Sequence, residues 1–389
     1  MYAEADVVAA LGYGSIHDMP DSFTPFRNKL EKSEARVRPP VAAPARLAPA
    51  APGLAALKEA LVAAGIASDH PVLSTEAADP RAAFHFRGGE REATARVKDW
   101  MWDRRCIETY FDIRNGMLGE AYSTKLSPYL AHGCVSARTI HAEVAKYEAD
   151  RTSNKSTYWV VFELLWRDFF KFQATKHGNR LFRGSGLLPP GDARVPKWVA
   201  DGEAFSRWSS GTTGWPLVDA NMRELAATGF MSNRGRQNVA SFLVHELKVD
   251  WRKGAALFET LLLDYDVAAN YGNWMSVAGL YGGRVNRFNI LKQSKDYDSK
   301  GDYVRHWCPE LKDVQTRHVH APWTAPGGGV VGYPKPLVSR WTGYPDAGAA
   351  AGGGTGGGKG GGGKGKGKGR ADGAGGRRDA RRAKEQRGM

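Results

Sequence analysis

Residues 158–172 read YWVVFELLWRDFFKF, and the fold class turns on them. Nearly every position is apolar, so a helix here has no face for water and must be buried. Yet Glu163, Trp166, Arg167 and Phe170 fall at i, i+3, i+4 and i+7 and therefore share one stripe. An exposed Glu–Arg pair ordinarily explains such spacing, but these flanks are too apolar to leave the stripe in water. A pocket lined by acid, guanidinium and indole is the better reading.

Working outward, residues 76–322 carry amphipathic or wholly apolar segments of helical length, cut by Gly, Pro and Asn, with little strand-like alternation. The expected fold is mainly α, one helical domain over 76–322. Residues 1–75 hold a short segment, DMPDSFTPFRNKLEK, a Pro/Ala linker and one possible helix, LAALKEALVAAG, but no complete domain. Residues 323–389 run through Pro-rich turns into AGGGTGGGKGGGGKGKGKGR, which buries no core and is expected to be disordered.

Of the net charge of +14, Lys359–Arg387 supplies +8, from eleven basic and three acidic residues. A nucleic-acid partner fits that balance, and the tail reads as either a linker or a non-specific DNA or RNA arm. No apolar run approaches a membrane span. Cys106, Cys134 and Cys308 are scattered, which excludes a disulfide framework or zinc ribbon and fits a reducing compartment. The N-terminal stretch resembles neither a secretory signal nor a transit peptide.

Three further stretches carry polar groups suited to a ligand. In STKLSPYLAHG (123–133), Ser127–Pro128 reads as an N-cap followed by proline at the first helical position. Free N–H groups there, with Ser123, Thr124 and Lys125, suit an anion such as phosphate. GFMSNRGRQNVASFLVHEL (229–247) sets Asn233, Arg236, Gln237, Ala240 and Ser241 on one side. LLLDYDVAANYGNW (261–274) delivers Asp264 and Asp266, then Asn270 and Trp274 at i+4 and i+8 from Asp266. Buried acids need partners or a ligand. His318 and His320 form an isolated HxH in a Pro-flanked turn, so no metal site is expected, and no GxSxG, Walker or HExxH pattern occurs. Acids, amides, guanidinium groups and indoles without a nucleophile or metal suit a large planar cofactor that brings its own chemistry.

These pieces resemble the photolyase/cryptochrome family, in its cryptochrome DASH branch. The resemblance runs from FRGGEREA at 86 to HWCPEL near 311, through RNGML, YSTKLSPYLAHGCVS, FELLWRDFF, TGWPLVDANMREL, GFMSNRGRQNVASFL, LLDYDVAANYGNW and NRFNILKQSKDYD in the family order. It implies an all-helical domain holding U-shaped FAD. Tyr110 and Ser123, Thr124, Lys125, Leu126 and Ser127 match residues around the ribityl and phosphate part. Arg167, Asn233, Arg236, Asp264, Asp266 and Asn270 match the shell around the isoalloxazine and adenine, with Asp264 paired to Arg236. Glu163 matches the carboxyl that contacts a pyrimidine dimer, and Trp274, Trp251 and Trp198 match an electron-transfer chain. Trp166, Asn233, Arg234, Gln237 and Gln293 match DNA-contacting positions, Gln237 standing where conventional dimer photolyases carry Met.

The implied function is blue-light repair of cyclobutane pyrimidine dimers by electron transfer from reduced FAD, preferentially in single-stranded or looped DNA, where unpairing costs nothing. The alternative is a blue-light photoreceptor that binds nucleic acid with little repair. Only an echo of the family's N-terminal α/β domain is visible before residue 76, so no folate-type antenna is expected. Ser276 replaces a substrate-stacking aromatic. A monomer is expected, with chloroplast, mitochondrion and nucleus all open.

Overall fold

The Asn154 side chain starts the longest helix among the described residues, accepting hydrogen bonds from the N–H groups of Ser156 at 2.7 Å and Thr157 at 3.0 Å. The helix runs Lys155–His177 and stops at Gly178, whose φ of 52° few side chains tolerate. At 23 residues it is about 34 Å long. It buries Val160, Leu164, Leu165, Phe169, Phe170 and Phe172, as its all-round apolarity demands.

The computed structural model describes residues 1–42, 44, 46, 53–65, 79–281, 285 and 287–338. Helices fill it, and no strand occurs among the described residues. The site is built chiefly by Ser127–Ala131, Lys155–His177, Pro216–Thr228, Asn233–Ser241, Trp251–Leu261 and Val267–Ala278. Asp266 caps the last of these, taking the Ala269 N–H at 2.9 Å, and Gly279 ends it at φ 76°. That helix lies directly on the long one. A Cβ built on Gly272 would sit 2.3 Å from Phe170 Cδ1, so only glycine permits the approach.

The expected boundaries at 75/76 and 322/323 fall inside one compact unit, Met1–Tyr344. Phe23, Phe26 and Leu30, on one face of the helix Phe23–Lys32, are buried in the same core as the long helix. At the other end Tyr333 is buried and donates its hydroxyl hydrogen to Asp219 Oδ2 at 2.6 Å. Thr213 and Gly214 N–H groups and the Thr213 hydroxyl satisfy the rest of that carboxylate. Residues 323–338 are therefore ordered by an aromatic anchor that composition alone concealed. A second unit, Pro345–Met389, holds the basic run and lies outside the described residues. No described helix is long and apolar enough to cross a membrane.

Candidate flavin site

Two adjoining cavities, of about 300 Å³ and about 140 Å³, share Asn233, Arg236, Asp264, Asp266 and Ala269 as common wall. The first is lined by Tyr110, the run Tyr122–Ser127, Glu163, Arg167 and apolar Leu130, Ile140, Val160 and Leu164. The second is lined by Gln237, Ala240, Phe258, Asn270 and Trp274 among others. All twelve residues expected to hold the cofactor thus line one or other cavity. Ser241 does not: its hydroxyl accepts the Phe288 N–H at 3.0 Å inside the core.

The loop before Ser127–Ala131 differs from expectation in two details. Ser127 is the first helical residue and Leu126 the cap, with no side chain capping the helix; the Thr124 hydroxyl accepts the Leu126 N–H at 3.3 Å in the loop before it. Lys125 adopts a left-handed φ of 56°, a cost that non-glycine residues carry mainly at functional sites. Its Nζ lies 3.2 Å from the ring centre of Tyr122 and 4.7 Å from that of Phe230, rather than pointing freely from the loop. Burial holds this amine well below its usual range, while Glu224 pulls it back up.

Asp264 Oδ2 accepts from Arg236 Nη2 at 2.8 Å, the pair the family resemblance implied. Asp264 Oδ1, Lys125 Nζ and Tyr122 Oη are buried without a protein partner. Unmade hydrogen bonds of that kind are expensive unless a ligand completes them. Hydroxyls of Ser123, Thr124 and Ser127, two guanidinium groups and an apolar wall complete a donor set that fits FAD.

Glu163 stands at the cavity rim with its side chain 36% exposed. Trp159 Nε1 donates to its Oε1 at 3.0 Å, and the Arg114 guanidinium approaches to 3.9 Å. Burial raises the proton affinity of this carboxyl, with Arg114 and then Trp159 opposing. Trp159 and Arg114 were missed by the sequence reading, although Trp159 precedes Glu163 by one helical turn. Trp166 corrects an expectation. Its ring stacks on Phe23 at 3.6 Å and on Phe170 at 5.5 Å, so both faces are packed and it lines neither cavity. The four-residue stripe is split: Glu163 and Arg167 face the cavity, Trp166 and Phe170 face the aromatic core.

Arg234 gathers the other expected contact residues. Its Nη1 donates to Gln237 Oε1 at 3.0 Å and to Gln293 Oε1 at 3.4 Å, and its Nη2 to Asn115 Oδ1 at 2.8 Å. Trp274 is buried in the second cavity's wall, Trp251 is fully buried, and Trp198 is half-buried. Sequence reasoning missed Trp208, whose ring centre lies 6.2 Å from that of Trp274. It also missed Glu224, buried behind Lys125, which accepts the Tyr303 hydroxyl hydrogen at 2.6 Å; burial pushes its carboxyl up to about 7. His320 is bound to the Asp298 carbonyl and His318 to Thr324, and no metal-type cluster occurs among the described residues.

The profile of the FAD binding domain of DNA photolyase matches residues 159–349. A chloroplastic/mitochondrial cryptochrome DASH of Ostreococcus tauri is 51% identical over 322 residues, 80% of this chain and 58% of its own length. Cryptochrome DASH of Danio rerio is 51% identical over 81% of this chain and 59% of its own length. The chain therefore spans less than two thirds of these relatives. The crystal structure of a Synechocystis cryptochrome superposes with a TM-score of 0.75 at 45% identity, covering 85% of this chain and 68% of that one. An archaeal photolyase from Sulfolobus tokodaii gives 0.62 at 29% identity, over 83% and 65%. An all-helical architecture, a cavity pair with a flavin-compatible donor set and these likenesses lead to one conclusion: the chain belongs to the photolyase/cryptochrome family, in its cryptochrome DASH branch, and carries that family's FAD-binding domain.

Proposed function

We propose that this chain splits cyclobutane pyrimidine dimers under blue light, preferentially in single-stranded or looped DNA. The observation that carries the reading is Glu163: a carboxyl with raised proton affinity, at the rim of a flavin-compatible cavity, oriented by Trp159. Reduced FAD, when bound and excited, supplies the electron that opens the dimer. Tyr110 and the Ser123–Ser127 run hold the ribityl and phosphate groups in this reading. Arg167, Asn233, Arg236, Asp264, Asp266 and Asn270 surround the rings. Arg234, Gln237 and Gln293, already joined by hydrogen bonds, present a polar edge to the strand. A protonated Glu163 donates a hydrogen bond to the dimer carbonyl as negative charge develops there, which favours the transient state over the ground state. Trp274, Trp251 and Trp198 return the cofactor to its reduced state between uses.

Two observations favour the sensor as the second reading. Ser276 offers no ring to the substrate, and Trp166 has both ring faces occupied. Losing a base–aromatic stack weakens binding by about 1–3 kcal/mol. The deciding experiment is repair of a thymine dimer in single-stranded DNA by the flavin-loaded chain under blue light. Repair above the dark control supports the lyase. Photoreduction of the flavin without repair replaces it with the sensor.

A further inference from the structure

Tyr271 lies on the Val267–Ala278 helix, three residues before Trp274, yet lines neither cavity. Its ring instead meets that of Trp251 edge to face, with centres 6.0 Å apart and planes at 81°. Its hydroxyl donates a hydrogen bond to Glu259 Oε2 at 3.1 Å. Trp251 is fully buried, Tyr271 half-buried and Glu259 exposed. Indole, phenol and carboxylate thus form a line from the core to water. By contrast, Trp198 makes no ring contact with Trp251 among the described residues.

We propose that Tyr271 and Glu259 form a redox exit from Trp251, with Tyr271 donating the electron and Glu259 accepting the proton. This rests on the reading of Trp274 and Trp251 as an electron relay. Trp274 and then Trp251 give up an electron toward the light-excited cofactor, which leaves Trp251 as an indole radical cation. One electron then passes from Tyr271 to that indole, and one proton passes from the Tyr271 hydroxyl to Glu259. The products are neutral Trp251, a neutral phenoxyl radical on Tyr271 and a protonated Glu259. Being exposed, Glu259 loses the proton to water, and a thiol restores the phenol by giving up a hydrogen atom.

The carboxylate is the part that makes this chemistry feasible. A phenol that loses an electron while keeping its proton becomes a strongly acidic cation, so oxidation without an acceptor is uphill. Burial, with Glu259 adding to it, raises the phenol's proton affinity and keeps the ground state protonated. Phe182, packed edge-on at 4.7 Å, covers another side of the ring. Charge leaving by this route loses its proton on the way, which slows its return to the flavin compared with exit through an indole.

The test generates indole radicals in two ways and reads the phenoxyl radical by EPR and transient absorption. Illumination of the flavin-loaded protein uses the whole relay. Pulse radiolysis with azide radicals oxidises indoles in the dark and bypasses the flavin. In both, the wild-type chain should form a phenoxyl signal that Tyr271→Phe removes and Trp198→Phe leaves in place. Glu259→Gln keeps the hydrogen-bond geometry but not the base. It should slow phenoxyl formation by on the order of 100-fold, the lower end of what a positioned base supplies. A phenoxyl signal unchanged by Tyr271→Phe, or indole radicals that decay with no phenoxyl in wild type, would overturn the proposal. If light fails and azide oxidation succeeds, Tyr271 stands as the donor and the relay reading falls.

Discussion

Replacing Glu224 by Gln should make the chain more stable at alkaline pH and leave it little changed in acid. Glu224 is buried, with Tyr303 donating to it and Lys125 and Arg236 the nearby cations. Desolvation outweighs all three, lifting the carboxyl from 4.5 to about 7. In the unfolded chain the group titrates near its ordinary value. Below that value both states hold the proton and nothing is lost. Between the two values the folded chain keeps a proton that the unfolded chain has released, so stability falls as pH rises. Above about 7 the full penalty is present, on the order of 3 kcal/mol for a carboxyl lifted from 4.5 to about 7. Glutamine is neutral at every pH and still accepts from Tyr303. Urea midpoints of the flavin-free protein, measured at pH 5 and pH 8, check this. The variant's advantage should be small in acid and approach about 3 kcal/mol at pH 8. An advantage independent of pH, or a variant less stable at pH 8, would show that Glu224 is held ionised by its cations.

Gly254→Ala should destabilise despite its gain in helix propensity. The added methyl would lie 2.2 Å from Trp274 Cη2 and 2.7 Å from Leu243 Cδ2. Overpacking costs about 1–3 kcal/mol against about 1 kcal/mol of propensity, and a urea midpoint at or above wild type refutes it. Glu163→Leu, which has no donor, should lower dimer repair per absorbed photon roughly tenfold at equal flavin content, the worth of one hydrogen bond, and equal repair would misassign Glu163. Trp274→Phe should abolish photoreduction by external reductant while FAD stays bound; undiminished photoreduction would mean another route, for which Trp208 is the nearest indole. Deleting residues 347–389 removes eight net positive charges. It should weaken binding to single-stranded nucleic acid and flatten the salt slope by up to about 6, at about 0.7 per phosphate. An unchanged slope would make the tail a bystander.

Helicity and the buried long helix were legible because each rests on local period, and short runs of polar residues marked most of the cavity-lining positions, whereas Tyr110 and Leu126 came only with the family resemblance. That Asp264 needs a partner was legible because a buried carboxylate requires one; that Arg236 is the partner came from the family resemblance. What escaped depends on contacts distant in sequence. Phe23 reaches Trp166 from 143 positions away, and nothing near Trp166 announces that its faces are taken. Tyr333 sits among Gly and Pro, where composition argues for disorder, yet its hydroxyl meets a carboxylate 114 residues away. Nothing near Glu224 in sequence marks it; only the arrival of Tyr303 and Lys125 makes it a buried acid.

The contact of Gly272 with Phe170 also acts as a ruler. Phe170 lies two turns along the long helix from Glu163, and Gly272 lies two residues before Trp274. Because the two backbones meet at this point with no room for a methyl group, the rim carboxyl and the cavity indole are held at a fixed separation by a single interlock. Drift in the surrounding loops can alter what enters the cavity without altering that separation. A side chain at position 272 would push the helices apart and change it at once. Natural variants of this chain should therefore tolerate change around the rim freely and almost none at this crossing, so that the rim can diversify while the separation of Glu163 and Trp274 is kept.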